Sequence, residues 1–194
     1  MPQHLRYPTN VTARIAQHYT RGTTQPGRHL EMDGICLGLS LSWLRRMACG
    51  RPLGEFPSHM EGMFGQYAYL TGNNSRLLSQ WMIEGPTALL GLDQYCFRVG
   101  FRHTVNRRCT LQECMALIRE TDSPDDASRK TFLVLADGHA TGLTIAGAKV
   151  ALFDSNIGID VFDRRNHDDL HALEGTLRKL APIHRSYLLT GLAY

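Results

Sequence analysis

The 194-residue chain has no apolar run of about 18 positions, so no stretch of it reads as a transmembrane helix. Its first 30 residues also lack the apolar core of a secretory signal peptide. Charge of one sign is missing too: 21 Lys and Arg against 18 Asp and Glu leave a formal net charge of +3. That excess is too mild to argue for a nucleic-acid partner or for membrane insertion. Cysteine is sparse, with five residues at positions 36, 49, 96, 109 and 114, an odd number containing no Cys-x-x-Cys. This argues against a disulfide framework or a Cys-rich zinc site and points to a reducing working environment. Internal repeats and low-complexity tracts are absent. What remains, 43% hydrophobic and 20% charged residues, is the composition of a globular chain long enough to bury one core without staples.

One stretch organises the rest, Gly34-Ile35-Cys36-Leu37-Gly38-Leu39-Ser40-Leu41-Ser42-Trp43-Leu44. Leu37, Leu39, Leu41, Trp43, Leu44, Met47 and Ala48 occupy most faces of a helix, the pattern of a central helix rather than a surface one. Gly34 permits a sharp turn before it, Arg45 and Arg46 suit the negative end of its dipole, and Gly50 followed by Pro52 stops it. Cys36 then sits on the first turn, where free N–H groups and the positive end of the dipole favour a thiolate. The competing reading is a structural cysteine, since free Cys packs as a small apolar residue.

Residues 1–30, with Pro2, Pro8, Gly22, Pro26 and Gly27 among polar residues, read as an extended or mobile segment holding at most a short helix around Val11–Tyr19. Residues 31–194 read as the domain proper. After the central helix come helical stretches at Met60–Leu70 and Ser75–Leu90, then a candidate strand at Tyr95–Phe101. Thr110 and Glu113 form a capping box for a helix reaching Glu120. Beyond a polar loop at Asp122–Lys130 the period changes. Phe132–Ala136, Gly142–Ala146, Val150–Asp154 and Asp160–Phe162 are short and β-rich, a last helix runs from His167 to Leu180, and Ser186–Thr190 is a final strand. Helices first and an antiparallel sheet last make an α+β domain.

The second half supplies chemistry that Cys36 lacks by itself. Gly138-His139-Ala140 opens one strand and Phe153-Asp154-Ser155-Asn156-Ile157-Gly158 ends the next. If Ala146-Gly147 forms the hairpin loop, His139 lies directly opposite Asp154. If Gly147-Ala148 forms it, which suits a turn that wants Gly first, Asn156 lies opposite His139 and Asp154 is a diagonal neighbour. Either residue can then orient the imidazole while the other ring nitrogen faces a thiol. Taken singly, His139 reads as a loop histidine, and Asp154-Ser155-Asn156 as ordinary turn chemistry. A helix-entry Cys, a strand-entry His and a strand-exit Asp, in that order, point instead to nucleophilic catalysis.

These motifs resemble the YopT/AvrPphB-type papain-like cysteine proteases, a family of bacterial effectors and toxin domains. Gly34, Cys36 and Trp43 match its Gly-x-Cys helix start with a Trp about two turns on. Gly138-His139-Ala140 and Phe153-Asp154-Ser155-Asn156-Ile157-Gly158 match its other two motifs. The resemblance implies a papain-like fold, with the nucleophile on a central helix of an N-terminal helical half and an antiparallel sheet after it. It makes Cys36 the nucleophile, His139 the general base and acid, and Asp154 the residue that orients the imidazole, with no metal or cofactor. It further implies secretion by a bacterium, delivery into the cytoplasm of a host cell, and a host protein substrate of the small GTPase or kinase class. Self-processing and a secretion chaperone belong to the same expectation. The chain departs from the family where an Asn or Gln usually precedes the cysteine as an oxyanion donor. Glu31 and Asp33 stand there, and a carboxylate donates only when protonated. The same triad also serves glutamine deamidases and transglutaminases, the alternative reading.

Other candidates carry less. His167 and His171 stand at i, i+4 in His-Asp-Asp-Leu-His, but the metalloprotease motif needs Glu second and a third ligand, for which His184 lies past the Pro182 break. Cys109, Cys114 and His103 have no metal spacing. Trp81, Met82, Tyr67 and Tyr69 suit either the core or a cleft wall. Arg98, Arg102, Arg107 and Arg108 read as a solvated basic face or a docking patch.

Overall fold

The computed structural model describes residues 1–6, 36–58, 60–62, 100–136, 139–182 and 186–193. Seven strands form one antiparallel sheet: β1 (Gln3–Arg6), β2 (Arg102–Thr110), β3 (Lys130–Ala136), β4 (His139–Ala146), β5 (Lys149–Asp154), β6 (Gly158–Asp163) and β7 (Ser186–Ala193). Their spatial order is β1-β6-β5-β4-β3-β7-β2. Among the described residues, three helices pack on it: α1 (Cys36–Ala48), α2 (Leu111–Glu120) and α3 (His167–Leu180). None of the described helices is long and apolar enough to cross a membrane.

Side chains alternate across the strands, so the sheet has two apolar faces. Leu133, Leu135, Ala140, Ala151, Phe153 and Ile159 meet α1 on one. Val134, Leu143, Ile145, Val150, Leu152 and Phe162 meet α2 and α3 on the other. The buried residues of α1 cover nearly its whole circumference, as expected of a central helix. The helix lies close to β4 because Gly142 has no side chain. A Cβ there would come within 2.7 Å of Trp43 Cε3 and 3.2 Å of Leu44 Cγ. The Trp43 ring in turn stacks on Phe153, with centroids 5.5 Å apart and planes inclined by 16°.

Local signals explain where the helices begin and end. At the end of α1, Gly50 has φ 77°, its N–H donates to the Met47 carbonyl, and the Arg51 N–H donates to the Arg46 carbonyl. This is a Schellman stop, and only Gly adopts its left-handed residue freely. Arg129, from the loop between α2 and β3, donates to the Met47 carbonyl and closes the same end. The capping box of α2 is present in both directions between Thr110 and Glu113. Cys109 and Cys114 stand just before the cap and at the fourth helical position, the pair of sites that staples a helix to its entering chain. Asn166 caps α3 by accepting from the Asp168 and Asp169 N–H groups.

Three readings take definite form. The candidate strand at Tyr95–Phe101 is described only at its end, where Gly100 turns with φ 90° and Phe101 is buried ahead of the strand. β2 begins at Arg102, and the exposed Arg102, Arg107 and Arg108, read as a basic face, lie on this last strand in the order of the described sheet. Charged residues are common on edge strands because they discourage stray pairing, which is why β2 lacks an apolar alternation. At the other edge Gln3–Arg6, within the segment read as extended or mobile, pair with β6 as β1. Asp160 holds both His4 and Arg6 at 2.9 Å, and Gly158 has φ 133° with no room for a Cβ, which would stand 2.1 Å from the Leu5 carbonyl oxygen. Third, Ala146 pairs with Lys149, so Gly147-Ala148 is the hairpin loop and the register that places Asp154 directly opposite His139 is not adopted. Gly147 has φ 54°, the left-handed conformation required of the first loop residue, and this selects the register. The short helix at Val11–Tyr19, the boundary near residue 30, most of Met60–Leu70, Ser75–Leu90, Arg98 and the residues Tyr67, Tyr69, Trp81 and Met82 lie outside the described residues.

Candidate active site

Cys36 is the first residue of α1 and is half-buried against the core on that face of the sheet. Its backbone N–H is among the four that a helix start leaves without an intrahelical partner. His139 opens β4, and Asp154 closes β5. The adopted register pairs Thr141 with Asp154, so His139 and Asp154 are diagonal neighbours on one face. They nevertheless meet: His139 Nε2 is 2.9 Å from Asp154 Oδ1.

Asn156 is not paired across from His139, because the chain leaves the ladder before reaching it. β5 ends at Asp154, and the Ile157 N–H donates to the Asp154 carbonyl across a tight turn. Asn156 is exposed, and its contribution is its backbone N–H, which donates to Asp154 Oδ1 at 2.8 Å. A single carboxylate oxygen thus accepts from the imidazole and from the turn that follows it. The turn fixes the carboxylate, and the carboxylate fixes the ring.

The electrostatics follow from three neighbours. Burial works against the charged form of His139, and this is the largest single influence. The hydrogen bond to Asp154, the interaction with the Cys36 thiol and the charges of both together outweigh it, so the His139 pKa is raised from 6.5 to about 10. With Nε2 occupied by Asp154, the ring presents Nδ1 to the sulfur. An imidazole held between a carboxylate and a thiol can take the thiol proton, remain charged and later give that proton up.

A scan of protein-family models gives no match, and neither does a comparison with curated proteins. Among solved structures, the Pseudomonas avirulence protein AvrPphB superposes with a TM-score of 0.57 at 16% identity, over 86% of this chain and 95% of that one. The chain has a papain-like cysteine protease fold. PatoxP, the cysteine protease-like domain of the Photorhabdus asymbiotica toxin PaTox, also aligns, with a TM-score of 0.47 at 15% identity over 95% of this chain and 60% of that one. The papain-like arrangement of an N-terminal helix against a C-terminal antiparallel sheet is the one expected from the sequence.

Other sequence candidates do not join this site. His167 and His171 are exposed on α3, and no group of three or more potential metal ligands occurs among the described residues. Cys109 and Cys114 are free thiols buried on the opposite face of the sheet, where they hydrogen-bond each other. Gly34, Glu31, Asp33 and Gly138 lie outside the described residues. Sequence reading passed over Ser40. It is fully buried, one helical turn after Cys36, and its hydroxyl donates to the Ala140 carbonyl at 3.0 Å. A hydroxyl at i+4 from the cysteine, alone among apolar neighbours, was the available signal.

Proposed function

We propose that this chain is a cysteine endopeptidase of the bacterial effector or toxin kind, acting on a protein inside a host cell. The observation that carries the reading is the 2.9 Å contact of His139 Nε2 with Asp154 Oδ1, with the same imidazole set against Cys36 at a helix start. The Cys36 thiolate attacks the carbonyl carbon of a peptide bond, and the negative charge that develops on its oxygen is met by the Cys36 N–H. His139, as imidazolium, protonates the leaving amine and the C–N bond breaks, leaving a thioester on Cys36. His139, now neutral, takes a proton from water as that water attacks the thioester, and the thiolate departs with the imidazolium restored. Asp154 holds the ring in place and stabilises its charge throughout. By family resemblance the substrate is a small GTPase or a kinase, a secretion chaperone accompanies export, and the enzyme also cuts itself.

The test is mass spectrometry of a eukaryotic lysate treated with wild-type protein or with Cys36→Ala. Protein N-termini that arise only with the wild type support the reading and identify the substrate. Glutamines converted to glutamates or cross-linked, without new N-termini, overturn it in favour of a deamidase or transglutaminase.

A further inference from the structure

We propose that Ser40 is a positioning residue, whose hydroxyl, bonded to the Ala140 carbonyl, fixes the first turn of α1 against the start of β4 so that Cys36 faces His139. The inference rests on the reading of Cys36 and His139 as a reactive pair and adds to it what keeps the pair in register.

Cys36 and His139 lie on separate elements, about a hundred residues apart in sequence, and apolar packing alone locates a helix loosely along and around its axis. Leu and Trp contacts tolerate small slides, whereas a hydrogen bond weakens steeply with distance and angle. Ser40 is one turn from Cys36 and therefore on the same helix face. Ala140 follows His139 directly. The 3.0 Å bond between Ser40 and Ala140 thus ties the helix, one turn after the thiol, to the strand, one residue after the imidazole. It also falls where β4 is paired on the β3 side but no longer on the β5 side. On the β5 side the ladder of β4 stops at Thr141, one residue short of Ala140. Within α1, Ser42 offers the same chemistry but is only half-buried, so one helix holds both the latch and its control.

The experiment measures iodoacetamide alkylation of the intact protein as a function of pH, site by site from digested peptides, so it needs no substrate. Exposed Cys49, at the far end of α1, is read in the same digest as an internal reference. In wild type, Cys36 is expected to react faster than Cys49 at pH 6, and His139→Ala to remove that advantage. Ser40→Ala is expected to lower the Cys36 rate at pH 6 about tenfold and to move its profile about one unit towards higher pH. Cys49 and the far-UV spectrum should remain unchanged, and Ser42→Ala should match wild type. A purely structural Ser40 would lower the melting temperature and leave the pH profile in place, and that result overturns the proposal. If instead wild type and His139→Ala give the same profile, the Cys36–His139 pair itself is wrong and the proposal falls with it. Should Ser40→Ala fail to fold, Ser40→Thr decides. With its hydroxyl it should keep the wild-type profile, and a profile like that of His139→Ala would overturn the proposal.

Discussion

Two of the described helix starts carry cysteines, and they have opposite fates. At α2, Cys109 and Cys114 flank a completed capping box and are buried among apolar residues of the face shared with α3. Their thiols bond each other, and that bond, with burial, pushes Cys114 well above the usual thiol range. Such a thiol keeps its proton and acts as a core residue. At α1, Cys36 is half-buried, and its neighbour is an imidazole kept charged by Asp154. A helix start alone therefore does not set what a cysteine can do; the groups beside it do.

The sharpest break of this contrast is to remove either half of the reactive pair. Cys36→Ala or His139→Ala is expected to reduce substrate cleavage by roughly 10⁴-fold or more. Circular dichroism should stay near wild type in both, and Cys36→Ala should also keep the melting temperature, whereas His139→Ala gives up its pair with Asp154 and should melt lower at neutral pH.

Asp154→Asn should do less, roughly 10²-fold in turnover, because the ring loses its charged support but keeps a hydrogen-bonding neighbour. This variant also tests the pH behaviour. His139 is more basic in the folded protein than its usual 6.5, so its contribution to stability is complete below about that pH and is lost as pH rises through about 10. Wild type should therefore lose melting temperature between those limits relative to His139→Ala, and Asp154→Asn should flatten the loss. The alkaline limb of the activity profile should move to lower pH in the same variant. Parallel melting curves in wild type and His139→Ala would show that the imidazole is not held as described.

On the other side of the comparison, Cys114→Ser puts a stronger hydrogen-bonding group into a fully buried site. Chemical denaturation should show a loss of about 1–3 kcal/mol, with unchanged activity per folded molecule. The smallest effect is expected for Asn156→Ala. Its side chain is exposed and its backbone N–H makes the contact to Asp154, so stability should change by no more than about 0.5 kcal/mol and activity should fall less than for Asp154→Asn.

Much of the fold was legible because its signals are local. The Thr110/Glu113 capping box fixed the start of α2, Gly50 ended α1, and the chain from His167 to Pro182 gave α3 the limits observed. The strands with apolar faces were found to within a few residues. Both edge strands escaped, for one physical reason. β1 reads Gln-His-Leu-Arg and β2 is rich in Arg, and neither carries the alternation that marks a strand between two packed layers. At the candidate site, His139 and Asp154 were legible as residues, but their geometry was not. Two hairpin registers differing in the loop by one position gave each of Asp154 and Asn156 a claim.

The α+β class, the three described helices and the order of Cys36, His139 and Asp154 were written in the chain, because capping, periodicity and turn chemistry act within a few residues of one another. Folding in three dimensions was needed to make Gly147 and Ala148 the loop, to stop β5 at Asp154 ahead of Asn156, and to bring the carboxylate to the ring on the diagonal. It alone also brought Ser40 to Ala140, and Gln3–Arg6 to β6. Such contacts join residues a hundred or more apart in the chain, and they are set by how whole layers pack and where a strand runs out of partners, which no local pattern encodes.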